Sequence, residues 1–310
     1  MNAAGRLGLY GAGLAAAFAV AFGAAALVAP RGAAPQSTMH EEETEMGQHD
    51  AHGSGAQGSM DHSAHAATGE SLAGVSLSAG GFTLAPVSAP DAVGEQGALS
   101  FRILDADGTP VTAYTTQHEK ELHLIVVRSD GTAFRHVHPV LDTAGGTWSI
   151  PWAWDAAGTY RVFADFAAAG ADPVTLTRTV DVAGPFAPVI PATSSRASVD
   201  GFDVELDGAL APGSASELTV TVRRGSAPVT TLQPYLGAYG HLVALREGDL
   251  AYLHVHPEGT APTPGATSGP DVRFSAHVST EGRYLLYFDF QVEGTVHTAA
   301  FVLDTTTHAH

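Results

Sequence analysis

Short segments in which apolar and polar residues alternate recur along most of the chain after about residue 74. The clearest examples are Leu99, Phe101 and Ile103, and Leu218, Val220 and Val222. Alternation with a period of two is typical of a β-strand that buries one face. Turn-forming pairs such as Asp107-Gly108 and Asp130-Gly131 separate these segments. We therefore predict many short strands joined by turns, rather than long helices.

Two segments of the chain have closely similar sequences. His123–Pro139 reads HLIVVRSDGTAFRHVHP, and His241–Pro257 reads HLVALREGDLAYLHVHP, at a constant offset of 118 residues. The similarity continues downstream at an offset of 124, and the six extra residues fall in the Pro- and Gly-rich stretch after Pro257. A surface loop tolerates such an insertion. The chain therefore contains two copies of one domain.

Each copy has the strand spacing of an antiparallel β-sandwich. We predict an all-β protein with one sandwich at residues 74–186 and a second at residues 194–306, joined by a stiff Pro-rich linker at residues 187–193. Immunoglobulin-like and cupredoxin-like topologies both stay open. The Cys/Trp/Cys pattern of antibody domains is absent, so the term Ig-like describes the architecture alone.

A long uncharged segment stands near the N-terminus. Leu7–Val28 contains no charged residue and is flanked by arginines. A membrane-spanning helix needs about 20 apolar residues, whereas the core of a cleaved signal is usually shorter. We predict a single-pass helical anchor within residues 1–31, with the rest of the chain outside the cytoplasmic membrane. Secretion after cleavage near Ala29 or Ala34 is the alternative.

Residues 32–73 are small and polar without periodicity, which is typical of a disordered linker. Apart from Met1, every methionine of the chain lies in this segment, among five histidines. Its candidate metal ligands are His49, His52, Met60, His62 and His65. Thioethers select Cu(I), while imidazole suits copper and zinc. We predict that this segment collects copper ions weakly, with a plain solvated spacer as the alternative. The His-x-His end at residues 307–310 is a weaker candidate for metal binding.

Composition removes several classes of function. With 32 acidic and 14 basic residues the net charge is −18, and no cluster of cations suggests a nucleic-acid partner. The chain has no cysteine, which excludes disulfides, thiolate zinc sites and the blue-copper site. We find no nucleophile elbow, phosphate loop, dinucleotide fingerprint or His-Glu-x-x-His motif, so we do not expect an enzyme.

Each copy carries one histidine and, thirteen residues later, the motif His-Val-His-Pro. The two trios are His123, His136 and His138, and His241, His254 and His256. In a strand, residues i and i+2 point to the same face, so His136 and His138 can reach one ion while Val137 faces the core. A hairpin that turns at Asp130-Gly131 would bring His123 close to this pair.

We predict that each trio binds a transition-metal ion, copper before zinc, because neutral imidazoles suit both metals. An open coordination position could take water or the acid repeated in both copies, Asp165 or Asp289. His118, which precedes the first trio, is a further candidate ligand. In the structural alternative, the ring nitrogens bond to backbone carbonyls and the six histidines recur because the fold needs them.

Several of these motifs together resemble a group of secreted or membrane-anchored bacterial proteins, common in actinobacteria. The motifs are His118-Glu119-Lys120, Leu122 to Arg128, His136-Val137-His138-Pro139 and Tyr160 to Phe166. Proteins of that group are described loosely as heavy-metal-binding, and the resemblance covers residues 99–166 and 218–290. It implies an extracytoplasmic location and a link to metal handling. The linker tract that begins at Met60 similarly resembles the Met-Asp-His-Ser repeats of periplasmic copper-resistance proteins.

These features together predict a membrane-anchored, extracytoplasmic protein that sequesters a copper or zinc ion or passes it on. The acidic field of the chain would raise the local concentration of cations. An envelope protein is a candidate partner. The alternative is a non-catalytic tandem Ig-like module with a structural, adhesive or protein-binding role, in which the histidines stiffen the hairpins.

Overall fold

The computed structural model describes residues 74–253, 255–263 and 265–306. Their regular secondary structure consists of β-strands, which confirms the all-β prediction. Among these residues no helix is long and apolar enough to cross a membrane. The predicted anchor, the His- and Met-rich linker, His254 and the C-terminal His-x-His end lie outside the described residues.

The first repeat contains ten strands. They are β1 (Ser78–Ala79), β2 (Phe82–Leu84), β3 (Gly97–Leu104), β4 (Tyr114–Thr115), β5 (Leu122–Arg128), β6 (Arg135–Val137), β7 (Val140–Asp142), β8 (Thr147–Trp152), β9 (Gly158–Ala168) and β10 (Val174–Val182).

The second repeat also contains ten strands. They are β11 (Arg196–Val199), β12 (Phe202–Gly208), β13 (Ala215–Arg224), β14 (Ala227–Pro228), β15 (His241–Arg246), β16 (Tyr252–Leu253), β17 (Val255–Pro257), β18 (Asp271–His277), β19 (Arg283–Val292) and β20 (Thr295–Asp304).

Each repeat is a sandwich of two antiparallel sheets. In the first repeat, sheet A has the order β1-β2-β3-β8-β7, and sheet B has the order β10-β9-β5-β6, with β4 also paired to β9. In the second repeat, sheet C has the order β11-β12-β13-β18-β17, with β14 paired to β13, and sheet D has the order β16-β15-β19-β20. The tandem antiparallel sandwich predicted from the sequence is therefore confirmed.

Large apolar side chains fill the space between the two sheets of each repeat. In the first repeat the buried aromatic residues are Trp148, Trp152, Trp154, Tyr160 and Phe166. In the second repeat they are Phe202, Phe274, Tyr284, Phe288, Phe290 and Phe301. Edge-to-face and tilted ring pairs, such as Trp154 on Tyr160 at 4.4 Å between centroids, add a preferred geometry to this burial.

A third apolar cluster joins the two repeats. Its buried members are Ile125, Val127 and Phe163 from sheet B, and Val243, Leu245, Leu250, Leu285, Tyr287 and Val302 from the second repeat. We call this cluster the inter-repeat interface. The rings of Phe134 and Tyr287 stack across it with centroids 3.9 Å apart, and the Tyr287 hydroxyl donates to the carbonyl oxygen of Gly131 at 2.5 Å. Sheets B and D therefore pack against each other through their outer faces.

The period-two alternation explains why strand β5 serves two cores. Its even-numbered residues Leu122 and Leu124 face the core of the first sandwich, whereas Ile125 and Val127 face the inter-repeat interface. All seven residues of this strand are buried. A strand that is apolar on both faces is covered on both faces.

The Asp130-Gly131 turn and the Pro-rich linker are fixed against each other. The Asp130 carboxylate accepts hydrogen bonds from the Arg128 guanidinium at 2.8 Å and from the Val189 backbone N–H at 2.9 Å. The Arg128 guanidinium also lies over the Phe186 ring, 5.3 Å from its centroid. Gly131 adopts a positive φ of 79°, and a Cβ at this position would collide with Leu285.

We expect the inter-repeat interface to make the two repeats unfold together. The three tryptophans lie in the first repeat, so their fluorescence reports that repeat, while circular dichroism of the β-structure reports both. In urea the two signals should change at the same midpoint. Tyr287→Ala should lower the unfolding free energy by about 3 kcal/mol or more through lost packing. Tyr287→Phe, which keeps the ring and loses one hydrogen bond, should cost about 1 kcal/mol. Separate midpoints in the wild-type protein would contradict this expectation.

Candidate metal centre

The first histidine of each trio lies directly opposite the repeated aspartate in its sheet. His123 on β5 pairs with Asp165 on β9, and His241 on β15 pairs with Asp289 on β19. Each of these four residues lies on the same face of its strand as the residues that form the inter-repeat interface, such as Ile125 and Val243. The packing of sheets B and D therefore brings both histidine–aspartate pairs to the same region of the molecule.

A tight turn ahead of each of these histidines fixes its ring. The turn at Gln117–Lys120 has positive φ at its two central residues, His118 and Glu119, as a type I′ turn requires. The Nε2–H of His123 donates to the Gln117 carbonyl oxygen at 3.1 Å. Because a carbonyl can only accept, the proton of the neutral ring is on Nε2 and the lone pair is on Nδ1.

The second repeat builds the same arrangement. Its turn at Tyr235–Ala238 also has positive φ at both central residues. The Nε2–H of His241 donates to the carbonyl oxygens of Tyr235 at 2.9 Å and Leu236 at 3.1 Å. Nδ1 of His241 therefore carries the lone pair, as in His123.

The hairpin formed by β5 and β6 brings the first trio together, as the spacing predicts. His123 Nδ1 lies 3.0 Å from His136 Nε2 and 3.2 Å from His138 Nε2. One nitrogen from each ring lies within 4.8 Å of the other two. Tetrahedral zinc with bonds of 2.0–2.1 Å separates its nitrogen ligands by about 3.3 Å. Val137, between the two later histidines, packs against the core of the first sandwich.

The second repeat supplies the group that orients His136. Nδ1 of His136 lies 2.8 Å from Oδ2 of Asp289, and both side chains are at least 95% buried. The other oxygen of Asp289 accepts from the Thr298 hydroxyl at 2.5 Å. An ionised carboxylate only accepts, so Nδ1 of His136 carries a proton, and in the neutral ring Nε2 presents its lone pair to the trio. Such a carboxylate behind a histidine is the usual support for a metal ligand.

When His136 is neutral, two lone pairs face each other across 3.0 Å, those of His123 Nδ1 and His136 Nε2. Two acceptors at this distance repel unless a proton or a cation lies between them. Burial lowers the pKa of His123 to about 3, with the neighbouring His136 acting in the same direction. Burial likewise lowers the pKa of His138 to about 3 and that of His241 to about 4. These rings are neutral near pH 7, and metal ions bind the neutral form.

The second trio does not repeat this geometry in the described part of the chain. His241 lies beside the first trio, with its ring centroid 6.5 Å from that of His136. His256 is exposed and lies on β17 in sheet C, whereas His241 lies on β15 in sheet D. His254, the remaining member, is outside the described residues. The expectation that His241, His254 and His256 form a metal site of their own stays a prediction, because His254 lies outside the described residues.

The difference arises where the chain crosses from one sheet to the other. In the first repeat, β6 pairs with β5 through Val137, and β7 pairs with β8 from Val140. A short turn then connects β7 to β8. In the second repeat the chain leaves β15 after Leu253 and pairs with β18 from Val255 onward. In the first repeat the short turn between β7 and β8 fixes where the chain changes sheets. The loop after Pro257 is longer and does not impose this constraint, so the chain of the second repeat changes sheets earlier.

Asp289 differs from its predicted role as a ligand in the open position of its own trio, whereas that role of Asp165 stays a prediction. Asp289 serves the trio of the other repeat, and it does so as the acceptor behind His136. Asp165 lines a cavity of about 40 Å³ together with His118, His123, His136 and His241, and its Oδ1 accepts from the Thr175 hydroxyl at 2.8 Å. The weaker candidates Met60, His49, His52, His62 and His65 lie outside the described residues.

Two groups of this centre escaped sequence reasoning, the Gln117 carbonyl and the Thr298 hydroxyl. The carbonyl belongs to the backbone, so side-chain identity gives no signal for it. The threonine does carry one, because Thr175 and Thr298 stand directly opposite the two repeated aspartates in neighbouring strands. Equivalent hydroxyl–carboxylate pairs in both copies mark these aspartates as hydrogen-bond acceptors, of which Asp289 is buried and Asp165 half-buried.

Comparison with solved structures finds distant all-β proteins. The Yersinia pseudotuberculosis adhesin InvE is 16% identical and has a TM-score of 0.22, with 72% of this chain and 58% of that chain covered. Domains 4 and 5 of the S-layer protein SbsC are 13% identical with a TM-score of 0.22, covering 68% of this chain and 82% of that one. The chain thus spans little more than half of the adhesin structure.

No curated protein matches the sequence significantly. One family model does match, and it matches twice, at residues 79–184 and at residues 197–307. Each match covers most of one sandwich, and the two together cover more than half of the chain. The chain therefore belongs to the family described as "Domain of unknown function (DUF8832)".

Proposed function

We propose that this protein binds one transition-metal ion, copper before zinc, through His123, His136 and His138, and that it holds or passes on that ion without catalysing a reaction. The observation that carries the proposal is the convergence of three imidazole nitrogens, 3.0 and 3.2 Å apart where they face His123. Hydrogen bonds behind His123 and His136 turn their lone pairs inward. A cation at the centre would relieve the repulsion between these lone pairs.

We favour copper over zinc as the bound metal for two reasons. A given set of nitrogen donors binds Cu(II) more tightly than Zn(II). The linker at residues 32–73 adds thioethers to its imidazoles, which suits Cu(I). In this account the linker collects ions weakly, the net charge of −18 attracts them, and the buried trio retains one of them.

We further propose that the two sandwiches lie outside the cytoplasmic membrane, held by the uncharged segment Leu7–Val28 or released after its cleavage. The length of that segment and its flanking arginines support this location. An envelope protein that donates or accepts the ion would be the natural partner there.

A second candidate function is a structural or adhesive module. The bond between His136 and Asp289 favours it, because this buried contact joins the two repeats. Histidines that clamp two sandwiches together would recur in the sequence without any ion. Metal binding separates the two candidates.

The test uses the full chain with serine in place of every histidine and methionine at residues 32–73 and 307–310, which we call the tail-silent chain. Equilibrium dialysis against Cu(II) should give one tightly bound ion. Loss of a group that hydrogen-bonds to a metal ligand weakens binding by up to about 100-fold. Because they remove a ligand itself, His123→Asn, His136→Asn and His138→Asn should each weaken Cu(II) binding by more than that. Electron paramagnetic resonance of the Cu(II) form should show coupling to three imidazole nitrogens.

The matched controls are His256→Asn and His277→Asn, which replace exposed histidines of the second repeat. They should bind Cu(II) as the tail-silent chain does. Absence of tight binding in the tail-silent chain, with the trio variants only less stable to urea, would contradict the proposal and leave the structural module as the better account.

Asp289 gives a separate prediction, because it orients a ligand without being one. Asp289→Asn should keep one Cu(II) per chain and weaken its affinity about 10- to 100-fold. In the metal-free protein, nitrogen-15 NMR should show His136 protonated on Nδ1, and the substitution should shift the proton to Nε2 because an amide can donate to Nδ1.

The control is Asp200→Asn, which removes a similar carboxylate, 2.7 Å from Nδ1 of His297, on the second repeat outside the trio. It should leave Cu(II) affinity unchanged. An equal loss of affinity in both variants would show that the effect is general destabilisation rather than orientation of His136.

A further inference from the structure

Two more imidazole rings lie beside the trio. The ring centroids of His118 and His241 are 5.6 Å apart, and the two residues come from different repeats. We propose that His118 and His241 form an exchange station, an outer position at which a copper ion is held briefly as it enters or leaves the trio. This inference rests on the proposed function and adds the route by which the buried site is filled.

The ring separations permit two imidazoles to share an ion at this station. Two rings bound to one ion at about 2.0–2.1 Å have centroids at most about 6.4 Å apart. The trio shows separations of 4.9 to 5.3 Å, and the 5.6 Å between His118 and His241 falls within the same limit. The ring centroids of His118 and His123 are 6.2 Å apart, which is close to that limit. An ion could therefore pass from the station to His123 in one step.

The hydrogen bonds of His241 leave a donor for the ion. Its Nε2–H is committed to the carbonyl oxygens of Tyr235 and Leu236, so Nδ1 carries the lone pair. His241 lies near the trio as well as near His118, with its ring centroid 6.5 Å from that of His136. The station therefore lies beside the trio, with His118 as its ring within reach of His123.

His118 connects the buried cluster with solvent. It is exposed, whereas His123 is 93% buried. It lines the 40 Å³ cavity that His123 and His136 also line, and it lines an open cleft of about 680 Å³ bordered by Tyr239, Pro257 and Glu258. An ion in that cleft meets His118 before any ring of the trio.

The turn itself does not need an imidazole at residue 118. In the second repeat the same position of the same turn is Leu236, with a φ of 53° against 47° for His118. Leu236 is buried, while His118 is exposed. Holding a ring over His123 and His241 is a task that leucine cannot perform.

An intermediate position lowers the barrier for entry and for exit by the same factor. The equilibrium affinity of the trio then stays as it was, because the station changes only the path between the free and the bound state. Loss of the station is therefore visible in rates and not in affinity, which distinguishes it from loss of a ligand of the trio.

The experiment measures Cu(II) loading and its removal by a chelator in the tail-silent chain by stopped flow. The variant is His118→Leu, which installs the side chain of the second repeat in the same turn. The matched control is Glu119→Gly, which installs the neighbouring residue of that repeat, Gly237. We expect His118→Leu to slow loading and removal by a similar factor of about tenfold or more, with the dissociation constant changed less than about twofold. His241→Asn should slow both steps as well.

Unchanged rates in His118→Leu, or a dissociation constant that changes as much as the rates, would overturn the exchange station while leaving the metal site of the trio intact. Two Cu(II) ions bound at equilibrium would also overturn it, because the outer histidines would then form a storage site. Absence of tight binding in the unsubstituted tail-silent chain would overturn the proposed function and the station together.

Discussion

The packing of sheet B against sheet D brings together the polar groups of the histidine cluster that come from different repeats. Apolar residues such as Ile125, Val243 and Tyr287 form this contact, and the histidines and aspartates continue the same faces of the same strands. Alternation along a strand therefore carries the ligands and the apolar residues to one side together. Without this contact Asp289 would not meet His136, because the two residues belong to different repeats. The interface thus links the stability of the tandem to the geometry of the centre.

Burying the polar groups of this cluster costs free energy, so the hydrogen-bond partners of each group are informative. A buried carboxylate needs partners, and Asp289 has two, an imidazole N–H and a hydroxyl. A turn carbonyl and this carboxylate hold the protons of His123 and His136 on the outer nitrogens. When both rings are neutral, their lone pairs face inward, and a proton or a cation between them would complete the cluster. The second repeat keeps the turn, the histidine, the aspartate and the threonine, but its chain crosses to the other sheet earlier, between Leu253 and Val255. Among the described residues, one cluster brings together three histidines that could hold an ion, and a residue of the other repeat supports it.

The sequence predicts the fold, the repeat and the first trio, because alternation, turn residues and histidine spacing are local signals. It does not predict the role of Asp289, which depends on how two sandwiches pack. A signal for that packing existed in β5, where LHLIVVR is apolar on both faces apart from His123. Nor does it predict the exposed position of His256, because both copies read His-Val-His-Pro. The outcome there depends on the length of a loop more than on the motif itself.

The central claim is that three imidazoles, supported by a carboxylate from the other repeat, hold one metal ion. The most direct test is a crystal structure of the copper-loaded tail-silent chain, with the ion located by its anomalous scattering. The account predicts one strong peak about 2.0–2.1 Å from His123 Nδ1, His136 Nε2 and His138 Nε2, with Asp289 still bonded to His136. A copper peak at exposed histidines alone, or no peak while the three rings keep their positions, would contradict it.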